Sequence, residues 1–91
     1  MNFSARVEVR LRPGIADPEG ATIERALPAL GFDDVHGVRA GRSFDFEVEA
    51  PDEARARDRA AELAARLLAN PVIERCDVEL RAGAAQGPPT S

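Results

Sequence analysis

Leu30-Gly31-Phe32-Asp33-Asp34-Val35-His36-Gly37-Val38-Arg39-Ala40-Gly41-Arg42-Ser43-Phe44-Asp45-Phe46-Glu47-Val48-Glu49 is the stretch that decides the fold. It reads as the end of a helix, a strand, a tight glycine-containing turn and a second strand. In that second strand Phe44, Phe46 and Val48 alternate with Asp45, Glu47 and Glu49. This is the period of a strand with one face on a core and the other on water. The chain has 4 Phe and no Trp or Tyr, so a strand holding two of them anchors the core. The turn Arg39-Ala40-Gly41-Arg42 sets two cations around a glycine that can take positive φ. Fold and function are expected to divide at this hairpin.

Upstream, Phe3, Ala5, Val7, Val9 and Leu11 alternate with Ser4, Arg6, Glu8 and Arg10, a half-buried strand. Arg12-Pro13-Gly14 breaks it, since proline lacks a ladder donor. Asp17-Pro18-Glu19 starts a helix, with Asp as N-cap, Pro at the first helical position and Glu in the first turn. Ile23, Ala26, Leu27 and Leu30 form its core stripe. Pro28 falls inside this pattern and predicts a kink or early fraying, and Gly31 is the expected C-cap residue. Downstream, Pro51-Asp52-Glu53 opens a second helix, with Ala60, Leu63, Ala64, Leu67 and Leu68 facing the core. Glu53–Arg57 and Glu62–Arg66 stand in the favourable i, i+4 order. Asn70-Pro71 ends it, Asn70 suiting a left-handed cap. Val72–Leu80 is the last strand, with Cys76, Val78 and Leu80 on one face. Val72 and Ile73 are adjacent, so they point opposite ways: one serves the core and the other suits an interface. From Ala82 the pattern stops, predicting one domain over 1–81 and a disordered tail over 82–91.

The order β-α-β-β-α-β predicts an α+β, ferredoxin-like sandwich. It has a four-stranded antiparallel sheet, first and third strands central, and both helices on one face. The other face then carries Arg6, Glu8 and Arg10 beside Asp45, Glu47 and Glu49, charges able to pair across strands.

Composition narrows the function. The 91 residues suffice for one small core. A net charge of −4 argues against general affinity for nucleic acid or anionic lipid. No apolar run approaches a membrane span and no charged-then-apolar start is present, so a cytoplasmic protein is expected. The single Cys76 gives neither an intrachain disulfide nor a metal-ligand pair. His36 has no orienting partner for general-base work. Asp33-Asp34 reads as turn chemistry, and Cys76, in phase with Val78 and Leu80, as a buried inert thiol. The glycines make no phosphate-binding fingerprint. RNA-binding sandwiches of this shape display aromatics on the open sheet face, where this chain puts acids. A Cys-x-x-Cys for metal delivery is absent, and an acylphosphatase-like cradle has no coherent arginine and asparagine. No catalytic, cofactor or metal site is therefore expected. Above this background stand Arg39 and Arg42, either solvated or anchoring a partner's carboxylate or phosphate. The 12–20 loop, longer than its connection requires, carries Ile15 either tucked under the sandwich or touching a partner.

Four segments in order then carry a resemblance. They are Gly14-Ile15-Ala16-Asp17-Pro18-Glu19-Gly20, Arg25-Ala26-Leu27-Pro28-Ala29-Leu30-Gly31-Phe32, Val38-Arg39-Ala40-Gly41-Arg42 and Leu67-Leu68-Ala69-Asn70-Pro71-Val72-Ile73-Glu74. Together, over residues 3–80, they resemble PurS, the small subunit of phosphoribosylformylglycinamidine (FGAM) synthase. The resemblance implies a non-catalytic subunit in de novo purine biosynthesis, forming a homodimer or dimer of dimers. It would bridge the large synthetase subunit (PurL) and the glutaminase subunit (PurQ) and help ammonia pass between them. ATP and Mg would belong to the synthetase subunit, where formylglycinamide ribonucleotide becomes the amidine. By position, Asp17, Pro18 and Gly20 fall on the first loop pattern, Arg39, Gly41 and Arg42 on the second. Leu68, Asn70, Pro71, Val72 and Ile73 fall on the last. Arg12 and Arg42 stand where Lys is common, Ala16 where a larger aliphatic is, and Cys76 where an aromatic is. The partner-binding candidates are Arg12, Ile15, Asp17, Arg39, Gly41, Arg42, Asn70 and Ile73. The alternative is a small-molecule-binding regulatory domain of the same topology.

Overall fold

Alternation along the first strand sets the core of the computed structural model, which describes residues 1–82. In β1 (Asn2–Leu11) Phe3, Ala5, Val7 and Val9 are buried, while Arg6 and Arg10 face solvent. β2 (Gly41–Glu49) and β3 (Glu74–Ala82) both pair antiparallel with β1, giving a sheet of order β2-β1-β3. Opposed residues share a face: Phe3, Ala5 and Val7 lie against Val48, Phe46 and Phe44 on one side, and Ala5, Val7 and Val9 against Leu80, Val78 and Cys76 on the other. The opposite face is polar, and there Arg6 Nε donates to Asp45 Oδ1 at 2.8 Å. That guanidinium lowers the Asp45 pKa.

α2 (Glu53–Leu63) begins at Asp52, whose carboxylate accepts the Arg55 N–H at 2.8 Å. Its inward residues are small: Ala56, Ala60 and Ala64 are at most 1% exposed. With only methyl groups between helix and strand, the backbone can lie close to β1 and bury Phe3, Val7 and Val9. The helix then widens into a π turn over Ala64–Leu68, closed by Ala69 N–H to the Ala64 carbonyl at 2.9 Å. A wider turn advances each residue by a smaller angle. Leu68 stays half-buried on the core, but Leu67 swings out to 74% exposure, off the stripe expected for it. Asn70 is not the expected left-handed cap, since no non-glycine residue among those described has positive φ; Ala69 ends the helix in extended geometry.

The first half departs further from expectation. α1 (Pro18–Ala26) starts at Asp17 as the sequence indicates, but stops before Pro28, which has no N–H for the helical ladder. A 3-10 turn over Pro28–Leu30 follows, capped by Gly31 at φ 90°. Among the helices and strands α1 packs chiefly on this turn, and outside them it is tied to the loop at 37–40. Ile23, Leu30, Phe32 and Val35 remain between 43% and 68% exposed. The two helices therefore do not both cover the sheet; α2 alone does. The strand expected near Val35–Val38 is absent, so the sheet of the described residues has three strands, not four, and β1 alone is central. Gly41 is the first residue of β2 rather than a turn glycine with positive φ. The last strand starts at Glu74, two residues later than read, and includes Ala82. The rest of the tail expected over 82–91 lies outside the described residues.

A core this small predicts sharp sensitivity. Phe3→Ala should cost about 3–5 kcal/mol, and Ala60→Leu, which must push α2 off β1, about 1–3 kcal/mol. Arg59→Ala on the outer helix face should stay within about 0.5 kcal/mol. Urea unfolding measures all three. A Phe3→Ala loss no larger than that of Arg59→Ala would put the core elsewhere.

Candidate functional site

The candidate residues meet at one end of the sheet, where Leu11 opposes Glu74 and Arg10 opposes Gly41. Asp17 organises the first half of this cluster. Its Oδ1 accepts the Gly20 N–H at 3.0 Å as the helix N-cap, and its Oδ2 accepts the Ala40 N–H at 2.9 Å. The Arg39 Nε lies 3.9 Å from the same carboxylate, and Arg39 Nη2 donates to the Leu11 carbonyl at 3.4 Å. The Asp17 side chain is 7% exposed. The two backbone donors outweigh that burial and hold its pKa below the ordinary carboxylate range, with Arg39 adding to them. Gly20 is required by contact: a Cβ there would sit 2.6 Å from both Asp17 Oδ2 and the Val38 carbonyl. The Ile15 N–H donates to the Arg12 carbonyl at 3.1 Å, and the Ile15 side chain is half-buried.

Glu74 organises the second half. Arg42 reaches across β1 on the helix-covered face and donates from Nη2 to both Glu74 oxygens, at 3.2 and 3.1 Å. The Asn70 N–H donates to Glu74 Oε1 at 2.7 Å. The Glu74 side chain is 15% exposed. Its pKa is lowered, first by the Asn70 N–H and then by Arg42. The Arg42 guanidinium also lies 5.6 Å from the centre of the Phe44 ring. Arg12 donates from Nε and Nη2 to the Pro71 carbonyl at 3.1 and 2.9 Å, and its N–H reaches the Ile73 carbonyl at 2.8 Å. Gly41 admits the close approach of β1, since a Cβ there would lie 2.8 Å from the Val9 carbonyl. Arg39 and Arg42, read from sequence as cations at a free tip, thus both hold intramolecular contacts.

Two anchors were missed from the sequence. Glu24 accepts the N–H groups of Gly37 at 3.2 Å and Val38 at 3.0 Å, which lower its pKa. Glu74 is the other. Local pattern flags neither, because the backbone donors of Glu24 lie 13 and 14 residues on and the Arg42 partner of Glu74 lies 32 residues back. Glu24 and Asp17 together explain the absent fourth strand. The N–H groups of Gly37, Val38 and Ala40 are taken by carboxylates of the α1 segment and are not left to a sheet ladder.

The cluster's chemistry is that of a clamp. Its carboxylates are acceptors already engaged, and its arginines are donors already engaged. His36, Asp33 and Asp34 are exposed in the turn after α1. Cys76 packs on Val7 and Val9, and burial, followed by the Glu74 and Asp77 carboxylates, raises its thiol pKa. Among the described residues no group of three or more His, Cys, Asp or Glu is placed to hold a metal ion, and no helix is long and apolar enough to cross a membrane. An open groove between α1 and the following turn is lined by Ala21, Pro28, Phe32 and Val35, with Glu24 at its side.

Residues 4–82 match the family model described as PurS, phosphoribosylformylglycinamidine (FGAM) synthase. The chain is 40% identical to the PurS subunit of Synechocystis sp. over 89% of its own length and 81% of the relative's. It is 36% identical to the Methanocaldococcus jannaschii subunit, over 86% and 94% of the two chains. The crystal structure of that archaeal PurS is described as one of the subunits of formylglycinamide ribonucleotide amidotransferase in the purine biosynthetic pathway. It superposes with TM-score 0.78 at 34% identity, over 87% of this chain and 95% of that one. A chain in the structure of PurLQS from Thermotoga maritima superposes with TM-score 0.81 at 33% identity, over 89% and 99%.

Two outcomes follow from the clamp. Gly20→Ala gains up to about 1 kcal/mol of helix propensity, but the contact with a backbone oxygen outweighs it. A net loss of about 1–3 kcal/mol is expected in urea unfolding, and a stabilised variant would contradict the geometry. The lowered carboxylates also set a pH dependence. A group whose folded pKa is depressed contributes fully above its unfolded pKa and loses that contribution as pH falls through the folded value. Melting temperature should therefore fall with acidification through and below the ordinary carboxylate range. Glu24→Gln should melt lower at neutral pH and show a shallower acid decline; an unchanged slope would show that Glu24 is not held.

Proposed function

The chain belongs to the PurS family, and from that premise we propose that it couples the glutaminase and synthetase subunits of an FGAM synthase. It acts in purine biosynthesis as a subunit of a C–N ligase, contributing contacts rather than catalytic groups. On this reading ammonia released from glutamine on one partner is delivered to formylglycinamide ribonucleotide on the other, where ATP and Mg bind. The support from the residues is that the cluster at the sheet end is spent on holding loops in place. The side chains left without a role inside the chain are apolar and lie outside.

The observation that carries this reading is the apolar face of α1 and its turn. Ile23, Leu30, Phe32 and Val35 are large, exposed and borne by one segment, which the Asp17 and Glu24 carboxylates fix in place. Isolated exposed aliphatics are ordinary, but a contiguous set marks an interface. A second copy is the occupant we assign. Each chain supplies the same unpartnered face, so a two-fold contact covers both at once. The homodimer then forms the platform on which the two enzymatic subunits assemble. A regulatory domain binding a small effector finds less support, because the groove beside α1 is open and its Glu24 carboxylate is engaged by backbone donors.

Mixing the chain with the synthetase and glutaminase subunits of its source tests the coupling role. Glutamine-dependent amidine formation should require the chain, while turnover on free ammonium should need it much less. Equal glutamine-dependent turnover without it would sink the assignment. Phe32→Glu should convert the homodimer to monomer in sedimentation equilibrium, with unchanged circular dichroism. Retention of the dimer mass would move the pairing surface elsewhere.

A further inference from the structure

Leu67 and Val72, at 74% and 78% exposure, stand out of the structure on either side of the connection between α2 and β3. Neither is left loose. Leu67 is turned outward by the π turn that ends α2, a feature that recurs at functional positions within helices. Val72 sits in a turn held at almost every backbone group. Its own N–H donates to the Asn70 side-chain oxygen at 3.1 Å. The N–H groups of Ile73 and Glu74 donate to the Asn70 carbonyl at 3.1 and 2.8 Å. The Asn70 N–H is fixed on Glu74, and the Pro71 carbonyl is gripped by the Arg12 guanidinium.

This construction spends many hydrogen bonds on a surface turn whose outward product is one aliphatic side chain. Ile73 is half-buried whereas Val72 is 78% exposed, so Val72 is the member of the pair free for contact. A side chain held in its bound orientation beforehand loses little freedom on association. Well-packed anchors of this kind, seated in a pocket, carry most of the energy of an interface.

We propose that Leu67 and Val72 form a rigid apolar knob that seats in an apolar, carboxylate-rimmed pocket of a non-identical protein partner. The inference rests on the subunit reading above and names the face of this chain that meets an enzymatic subunit. Two observations select that occupant over a second copy. The knob projects, and a two-fold contact requires a self-complementary surface, which two projections do not supply. Its flanks are also cationic. Arg66 is exposed beside Leu67 and shares Glu62 with Arg59, exposed Arg12 lies on the Pro71 carbonyl next to Val72, and Arg75, the second residue of β3, has no ion-pair partner among the described residues. The acids at hand are taken, Glu62 by Arg59 and Arg66 and Glu74 by Arg42. Guanidinium groups around an apolar centre are complementary to carboxylates around an apolar pocket.

The test titrates wild-type chain and the double variant Leu67→Ser/Val72→Ser into the synthetase and glutaminase subunits, reading glutamine-dependent turnover. The concentration for half-maximal turnover should rise at least about thirty-fold, the loss of one anchor residue. Circular dichroism and homodimer mass should match wild type. Arg75→Glu, a single exposed change, provides a second arm. It should raise the half-maximal concentration several-fold in low salt and less in high salt. An unchanged half-maximal concentration for a folded double variant overturns the proposal, as does a double variant that becomes monomeric. If the double variant does not fold, an Arg75→Glu curve identical to wild type overturns it. Wild-type chain that supports no glutamine-dependent turnover removes the subunit reading itself, and is told apart from these outcomes by the wild-type arm alone.

Discussion

The capture of backbone N–H groups at 37–40 by the carboxylates of Asp17 and Glu24 is the constraint on which the rest of the molecule turns. A backbone donor can be satisfied by a strand neighbour or by a side chain, not well by both. With the carboxylates in possession, the segment from Val35 to Ala40 stays with α1 rather than joining β2. Among the described residues the sheet then stops at three strands, α1 stays off the sheet, and its apolar residues remain uncovered. One local competition between acceptors therefore decides strand count, helix placement and the character of the exposed surface.

Where strand alternation or an N-cap signalled an element, sequence and structure agree on its presence. β1, β2 and α2 follow from alternation and from the apolar stripe. Asp17, Asp52 and Gly31 cap as their residue types require. The failures share a cause. Val35 and Val38 suggest a strand by propensity, but propensity says nothing about acceptors reaching their N–H groups from another segment. Gly41 looked like a turn residue because glycine permits positive φ, whereas its use is to let the Val9 carbonyl approach. Leu67 lies on the helical stripe only while the helix keeps its regular pitch, and the π turn ends that. Glu24 escapes notice because its donors lie 13 and 14 residues on, and Glu74 because periodicity does not reveal a turn closed on Asn70 or a cation reaching across β1 from Arg42. The candidate site was legible as a set of segments and not as a set of roles.

The roles that emerge are divided by residue type. Charged and polar residues at the sheet end, Arg12, Asp17, Arg42, Asn70 and Glu74, hold loops, and the aliphatics beside them face outward. Arg39 and Arg42, which the sequence leaves either solvated or anchoring a partner, also hold contacts within the chain. Long cations at a surface often appear free in sequence, yet a guanidinium can satisfy several carbonyl or carboxylate oxygens at once. In this chain Arg12 grips one carbonyl with two nitrogens and Arg42 spans a strand to reach an acid.

The smallness of the core completes the logic. Alanines on α2 bring helix and sheet together but bury little apolar area each, and a domain of this size has little area to bury. The fold compensates with carboxylate and guanidinium clamps at the points where loops leave the sheet. Such clamps fix loop geometry through sheltered carboxylates, Asp17 and Glu74, whose arginine partners remain about half exposed. A chain built this way has well-defined loops on a modest core, with large aliphatics still uncovered. Covering those aliphatics against other chains supplies burial that the domain itself lacks, so assembly is expected to stabilise the fold as well as to serve its function.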